Sequence, residues 1–195
     1  MPRPCLWAAP ALVLVVGLTG FPGAPLRAQT AVGDSAEFAA WRQVQKEDID
    51  GLRRKFMALA KAVPADKLTW RPMEGTRSFR EVFAHIAAEW NTETAMFGRP
   101  LPAGSLADFD AEEARLAKLP DEQLIAVMDR AMQSLSTTLA GLSRATINTP
   151  IRYYGQSTLP RVATTYTLND LHEHLGQLVA YARMNTIVPP WSKKG

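Results

Sequence analysis

Four long segments of the sequence repeat apolar residues at intervals of three and four, the spacing that places them on one face of an α-helix. They run over about residues 35–63, from 78 to a loop at 98–104, over 120–141 and over 167–185, with a short helix expected at 110–119. Stretches with proline and glycine separate them, and no alternating run is long enough to build a sheet. The pattern predicts an all-α fold, a four-helix bundle.

Local sequence signals support two of these helix starts. Ser78-Phe79-Arg80-Glu81 is a capping box, in which the serine and glutamate side chains each bind a free backbone N–H. Pro120 suits the first position of the third helix, because its missing N–H is not needed there. Residues 143–164 are polar and contain two prolines, so we expect an irregular segment there.

The first 28 residues resemble a secretory signal peptide. Arg3 gives a basic start, residues 6–20 are apolar and uncharged, and Leu26-Arg27-Ala28 offers a cleavage site. The apolar run is shorter than the roughly 20 residues that span a membrane. We therefore predict a leader at 1–28, a single domain at 29–195, and a periplasmic or secreted location without membrane attachment after cleavage.

Cleavage of this leader is the first testable expectation. The exported protein should begin near Gln29, because Ala28 provides the small residue that signal peptidases require. N-terminal sequencing of protein recovered from outside the cytoplasm checks this. An intact Met1 on soluble cytoplasmic protein would refute it.

The charge and cysteine content exclude several functions. The chain has 22 Lys and Arg against 19 Asp and Glu, and removing Arg3 and Arg27 with the leader brings it close to neutral. Nucleic acid is therefore not an expected partner, since binding it requires a basic face. The one cysteine, Cys5, lies in the leader, so a metal must be held by nitrogen and oxygen. We expect a small-molecule substrate, and the composition allows a homodimer.

The fourth helix carries two histidines on different faces. Successive residues are rotated by about 100°, so His172 points about 160° away from both Asp170 and His174. The same rotation predicts a core stripe made of Leu171, Leu175, Leu178 and Ala182. A polar stripe beside it consists of Asp170, His174, Gln177 and Tyr181. His172 and His174 therefore do not suit one ion.

The second helix places His85 and Glu89 beside its own apolar stripe. If the two helices are neighbours, His85, Asp170 and His174 can converge as ligands of zinc, nickel, iron(II) or manganese. Each residue also has a purely structural interpretation. His85 can be a hydrogen-bonded, half-buried histidine, Asp170 can complete a capping box that begins at Thr167, and Glu89 can be a solvated acid or a hydrogen-bond acceptor for His85.

Two stretches resemble the DinB/YfiT-like superfamily: VPADKLTWRPMEGTRSFREVFAHIAAEW at 63–90 and HEHLGQLVAYARMNTIVPPWS at 172–192. The resemblance assigns the family's metal-binding histidines to His85 and to His174, which precedes Gly-Gln. The third family ligand, usually histidine, corresponds to Asp170. The resemblance implies an up-down-down-up bundle that binds a divalent ion, and characterised relatives include thiol-dependent transferases and isomerases.

These observations together predict an exported, divalent-metal-dependent hydrolase or transferase that acts on a small molecule. His85, Asp170 and His174 are the expected metal ligands, and Glu89 is the expected catalytic residue, as a general base or as a group that supports a ligand. The alternative is a non-catalytic bundle that binds a metal, a small ligand or a partner protein.

Overall fold

A computed structural model describes residues 35–192, which form five helices and one small hairpin. In chain order these are α1 (Ala36–Ala62), α2 (Phe79–Met96), α3 (Phe109–Leu116), α4 (Asp121–Ala140), β1 (Ile151–Tyr153), β2 (Gln156–Thr158) and α5 (Pro160–Met184). The predicted leader at 1–28 lies outside the described residues. None of the helices within 35–192 is long and apolar enough to cross a membrane.

The four long helices bury their apolar faces against one another. Both α4 and α5 contact α1 and α2. The stripe predicted for α2 is buried in full: Phe79, Val82, Phe83, Ile86 and Trp90. Phe56 of α1 meets Trp90 edge to face, with ring centroids 5.5 Å apart. The prediction of an all-α fold is confirmed, while the up-down-down-up order of helix directions stays a prediction.

The start of α2 confirms the capping box predicted from the sequence. The Ser78 hydroxyl accepts from the backbone N–H of Glu81, and the Glu81 carboxylate accepts from that of Ser78 at 2.7 Å. This cap begins the helix that carries His85 and Glu89.

The segment before the last helix differs from the prediction. Residues 151–158 form an antiparallel hairpin that pairs Tyr153 with Gln156, so the expectation of no strand pairing was wrong. The last helix begins at Pro160 and not at Thr167, because proline suits a first helical position and Thr164 donates its hydroxyl back to the Pro160 carbonyl. Several β-branched residues had obscured this start. Asp170 lies well inside α5, and its interpretation as part of a capping box is wrong.

Candidate metal centre

His85 and His174 meet where α2 packs against α5. Their ring centroids lie 4.9 Å apart and their planes are inclined at 70°. Both side chains are largely buried, because each follows the edge of its helix's apolar stripe. Two imidazoles from separate helices therefore share one location.

Hydrogen bonds orient both rings in the same way. His85 Nδ1 lies 2.8 Å from Glu113 Oε2, and His174 Nδ1 lies 3.3 Å from Gln177 Oε1. Because both oxygens only accept, each Nδ1 carries the proton in the neutral ring and each Nε2 has a free lone pair. A partner on one ring nitrogen is typical of histidines whose other nitrogen binds a metal.

Arg77 keeps the Glu113 carboxylate ionised, so that this carboxylate can accept the hydrogen bond from His85 Nδ1. Two hydrogen bonds of 2.8 and 3.1 Å join the guanidinium to the Glu113 carboxylate. Burial alone would raise the pKa of Glu113, but the bonds from Arg77 and His85 outweigh it and lower that pKa. Burial also lowers the pKa of His85, so its ring is neutral near pH 7 although it faces a carboxylate.

Two further carboxylates face the free imidazole nitrogens. Glu89 Oε2 lies 3.9 Å from His85 Nε2 and 3.7 Å from His174 Nε2. Ligand atoms of these three residues all lie within 4.8 Å of one another, so the group could hold a metal ion. Asp170 Oδ2 lies 3.3 Å from His174 Nε2, on the α5 side.

Several buried atoms of this cluster have no hydrogen-bond partner. Within residues 35–192, six buried side-chain atoms are unpartnered, and three of them are Glu89 Oε2, Asp170 Oδ2 and His174 Nε2. Such atoms are uncommon in native proteins because an unpaired buried polar group costs free energy. Four ligands at about 2.1 Å from an ion in a tetrahedron lie about 3.4 Å from one another. The observed separations fit the binding of a small cation.

The charges of the side chains in this cluster also favour the binding of a cation. No Lys or Arg in the described part of the chain forms an ion pair with Glu89 or Asp170. Burial, together with the neighbouring Asp170, raises the pKa of Glu89. The pKa of Asp170 is lowered, because the nearby His174 and Glu89 side chains outweigh the effect of its burial, and the pKa of His174 is raised by Asp170 against the effect of burial. A divalent ion would neutralise both carboxylates.

His172 lies away from this centre. Its side chain is 53% exposed, and Nε2 lies 3.1 Å from Asp48 Oδ2 of α1. This agrees with the helical rotation, which separates His172 from His174.

By contrast, Glu89 is buried, so its interpretation as a solvated acid was wrong.

A second buried acid lies one helical turn beyond Glu89. Glu93 is 1% exposed, its Oε1 accepts from the Tyr153 hydroxyl, and that hydroxyl lies 3.1 Å from the Thr167 hydroxyl. Burial raises the pKa of Glu93 to about 7. Sequence reasoning missed Glu93, Glu113 and Tyr153, because only the tertiary contacts bring them to the centre.

Glu93 should make the fold less stable as the pH rises. Its pKa is about 7 in the folded protein against an ordinary 4.5, so its favourable contribution is complete below 4.5 and is lost as the pH rises through 7. Glu93→Gln stays neutral and still accepts from Tyr153, so it should raise the free energy of unfolding at pH 8 by about 2–3 kcal/mol and change it little at pH 4.5. Denaturant unfolding of both proteins in chelator checks this. Equal stability at pH 8 would contradict the burial of a charge at this position.

The fold and the site together define a class: a helical bundle with imidazoles and carboxylates on facing helices, a usual place for metal sites. The chain belongs to the DinB superfamily, whose sequence profile matches residues 48–178. Among solved structures, it is similar to the crystal structure of a DinB-like protein from Bacillus cereus ATCC 10987. The TM-score is 0.59 at 11% identity, and the match covers 80% of this chain and 95% of that one. None of the curated proteins matches this chain significantly in sequence.

Proposed function

We propose that this protein is an exported, divalent-metal-dependent hydrolase or transferase that acts on a small molecule. The observation that carries the proposal is the convergence of unpartnered Glu89 Oε2, Asp170 Oδ2 and His174 Nε2 in one buried cluster with His85. Export rests on the leader-like sequence of residues 1–28.

Four side chains are proposed to hold the ion. His85 and His174 offer Nε2, Glu89 offers Oε2, which lies within 4 Å of both nitrogens, and Asp170 offers Oδ2 beside His174. Zinc, nickel, iron(II) and manganese all accept such nitrogen and oxygen donors. Asp170 takes the place of the histidine that is usual at this family position. A divalent ion at such a site acts as a Lewis acid and lowers the pKa of a bound water or thiol, so that a nucleophile forms near neutral pH.

The protein's own residues orient the centre and leave it accessible. Glu113 and Gln177 hold the imidazole rings by their Nδ1 atoms, so each Nε2 stays directed at the cluster. Asp170 has a 36% exposed side chain against 12% for Glu89. A substrate would therefore approach from the Asp170 side. Any thiol must come from the substrate, since residues 29–195 contain no cysteine.

A substrate screen tests the catalytic part of this proposal. Protein comprising residues 29–195 should be loaded with each candidate ion and assayed with small esters and with low-molecular-weight thiols plus an electrophile. We expect turnover of one class, abolished by chelator and restored by adding the ion back. A protein that holds the ion tightly yet turns over neither class would contradict this part and favour the non-catalytic, metal-binding bundle.

A further inference from the structure

The hairpin turn places a tyrosine in a backbone conformation that tyrosine rarely adopts. Tyr154 has φ of 44° and is followed by Gly155 with φ of 77°. Two-residue hairpin turns with positive φ at both positions favour Asn, Asp or Gly at the first one. A non-glycine residue in this region costs about 1–3 kcal/mol, and such strain tends to occur at functional sites. Tyr154 therefore needs a reason beyond turn formation.

The strained turn directs two adjacent tyrosines at the same helix. Neighbouring residues of a regular strand point to opposite faces. Here the Tyr153 hydroxyl donates to Glu93 Oε1 and the Tyr154 hydroxyl donates to Glu89 Oε1 at 3.3 Å, although both acids lie on α2. The two tyrosine rings meet edge to face, with centroids 4.8 Å apart. The positive φ thus brings the second hydroxyl to the candidate metal centre.

We propose that Tyr154 is a positioning residue for Glu89, and that its hydroxyl holds Oε1 so that Oε2 stays directed at the two imidazoles. This inference rests on the proposed metal centre. The donor binds one carboxylate oxygen and leaves the other, which is buried and unpartnered, 3.9 Å from His85 Nε2 and 3.7 Å from His174 Nε2. A residue that hydrogen-bonds a ligating carboxylate restricts its orientation and strengthens metal binding.

Packing does not explain the choice of this side chain. Tyr154 is 48% exposed, so its ring contributes only part of its area to burial. The pairing of β1 with β2 uses backbone groups and does not depend on a tyrosine at the turn. Tyr154 has a hydroxyl that lies far enough from the backbone to reach Glu89. Asn, Asp and Gly, the usual residues at this turn position, have no such group.

A hydroxyl deletion with a matched control tests the role. Tyr166 is a suitable control, because it is also exposed, stacks on the Tyr153 ring and belongs to α5 outside the candidate ligand set. Cobalt(II) should be titrated into residues 29–195 as wild type, Tyr154→Phe and Tyr166→Phe, with the visible absorption spectrum as the readout. We expect Tyr154→Phe to weaken cobalt binding by about tenfold or more and to alter the spectrum, since groups that support metal ligands contribute about 10–100-fold to affinity. Tyr166→Phe should match the wild type.

A second variant separates positioning from stability. Tyr154→Asn suits the left-handed conformation but loses the reach of the hydroxyl, so the metal-free protein should melt at a higher temperature while its cobalt affinity falls. A merely structural role predicts unchanged cobalt binding for both Tyr154→Phe and Tyr154→Asn, and that result would overturn the inference. Tight cobalt binding by wild type and by Tyr154→Phe alike would overturn the role of Tyr154 but leave the metal centre standing. No binding by the wild type would contradict both.

Discussion

His174→Ala and His85→Ala are each expected to lower the affinity for a divalent ion by more than about 100-fold, since even residues that only support a ligand contribute about 10–100-fold. Each change removes an Nε2 that has a free lone pair and faces Glu89 Oε2, at 3.7 and 3.9 Å respectively. Calorimetric titration of the metal-free protein with zinc, cobalt or nickel measures the loss.

His172→Ala is the matched control, because it removes a histidine from the same helix but from its exposed side, where it faces Asp48. Metal affinity should stay nearly unchanged. Circular dichroism of all three variants verifies that the helices are intact. Equal losses from His172→Ala and His174→Ala would contradict the geometry of α5 described above.

Substitutions of the two carboxylates should have the next largest effect. Asp170→Ala should weaken metal binding strongly, whereas Asp170→His should retain a divalent ion, because imidazole is a good ligand for zinc and nickel. With α5 beginning at Pro160, Asp170 has no capping role, so loss of metal cannot be ascribed to a frayed helix. Metal analysis of both variants after dialysis checks this. Unchanged metal content in Asp170→Ala would remove Asp170 from the ligand set.

Glu89→Gln distinguishes the two roles available to Glu89. As a ligand between the imidazoles, Glu89 should be hard to replace with a neutral amide, and the variant should lose metal affinity by about tenfold or more. A Glu89 that acts only as a general base, one of the two roles predicted from the sequence, should give a variant that retains the metal but loses turnover. The same dialysis and the substrate assay measure both quantities.

The helices were predictable because their apolar stripes follow a local rule. The apolar stripe of α2, which runs from Phe79 to Trp90, has helical spacing and is buried in full, and the capping box at Ser78 and Glu81 has the predicted hydrogen bonds. The hairpin and the start of α5 were not predictable in this way. Tyr154 adopts a positive φ that is unusual for tyrosine, so turn-residue preferences gave no signal, and the Thr-rich start of α5 lacks a side-chain cap.

In the candidate site, too, the residues placed by helical periodicity were predictable and those placed by tertiary contacts were not. Helical rotation separated His174 from His172, and the periodicity of α2 placed His85 and Glu89 at the edge of the core. Glu113, which orients His85 from 28 positions away in the chain, has no local signature. Its role depends on how α3 packs against α2, which a single sequence does not encode as a pattern.

The most direct test of the metal centre is an anomalous difference map from crystals of residues 29–195 grown with zinc or cobalt. One strong peak is expected at about 2.0–2.1 Å from Nε2 of both His85 and His174, with oxygens of Glu89 and Asp170 completing the ligand set. Ordered imidazoles with no anomalous peak between them, in crystals that bind the metal elsewhere, would contradict the proposed metal centre.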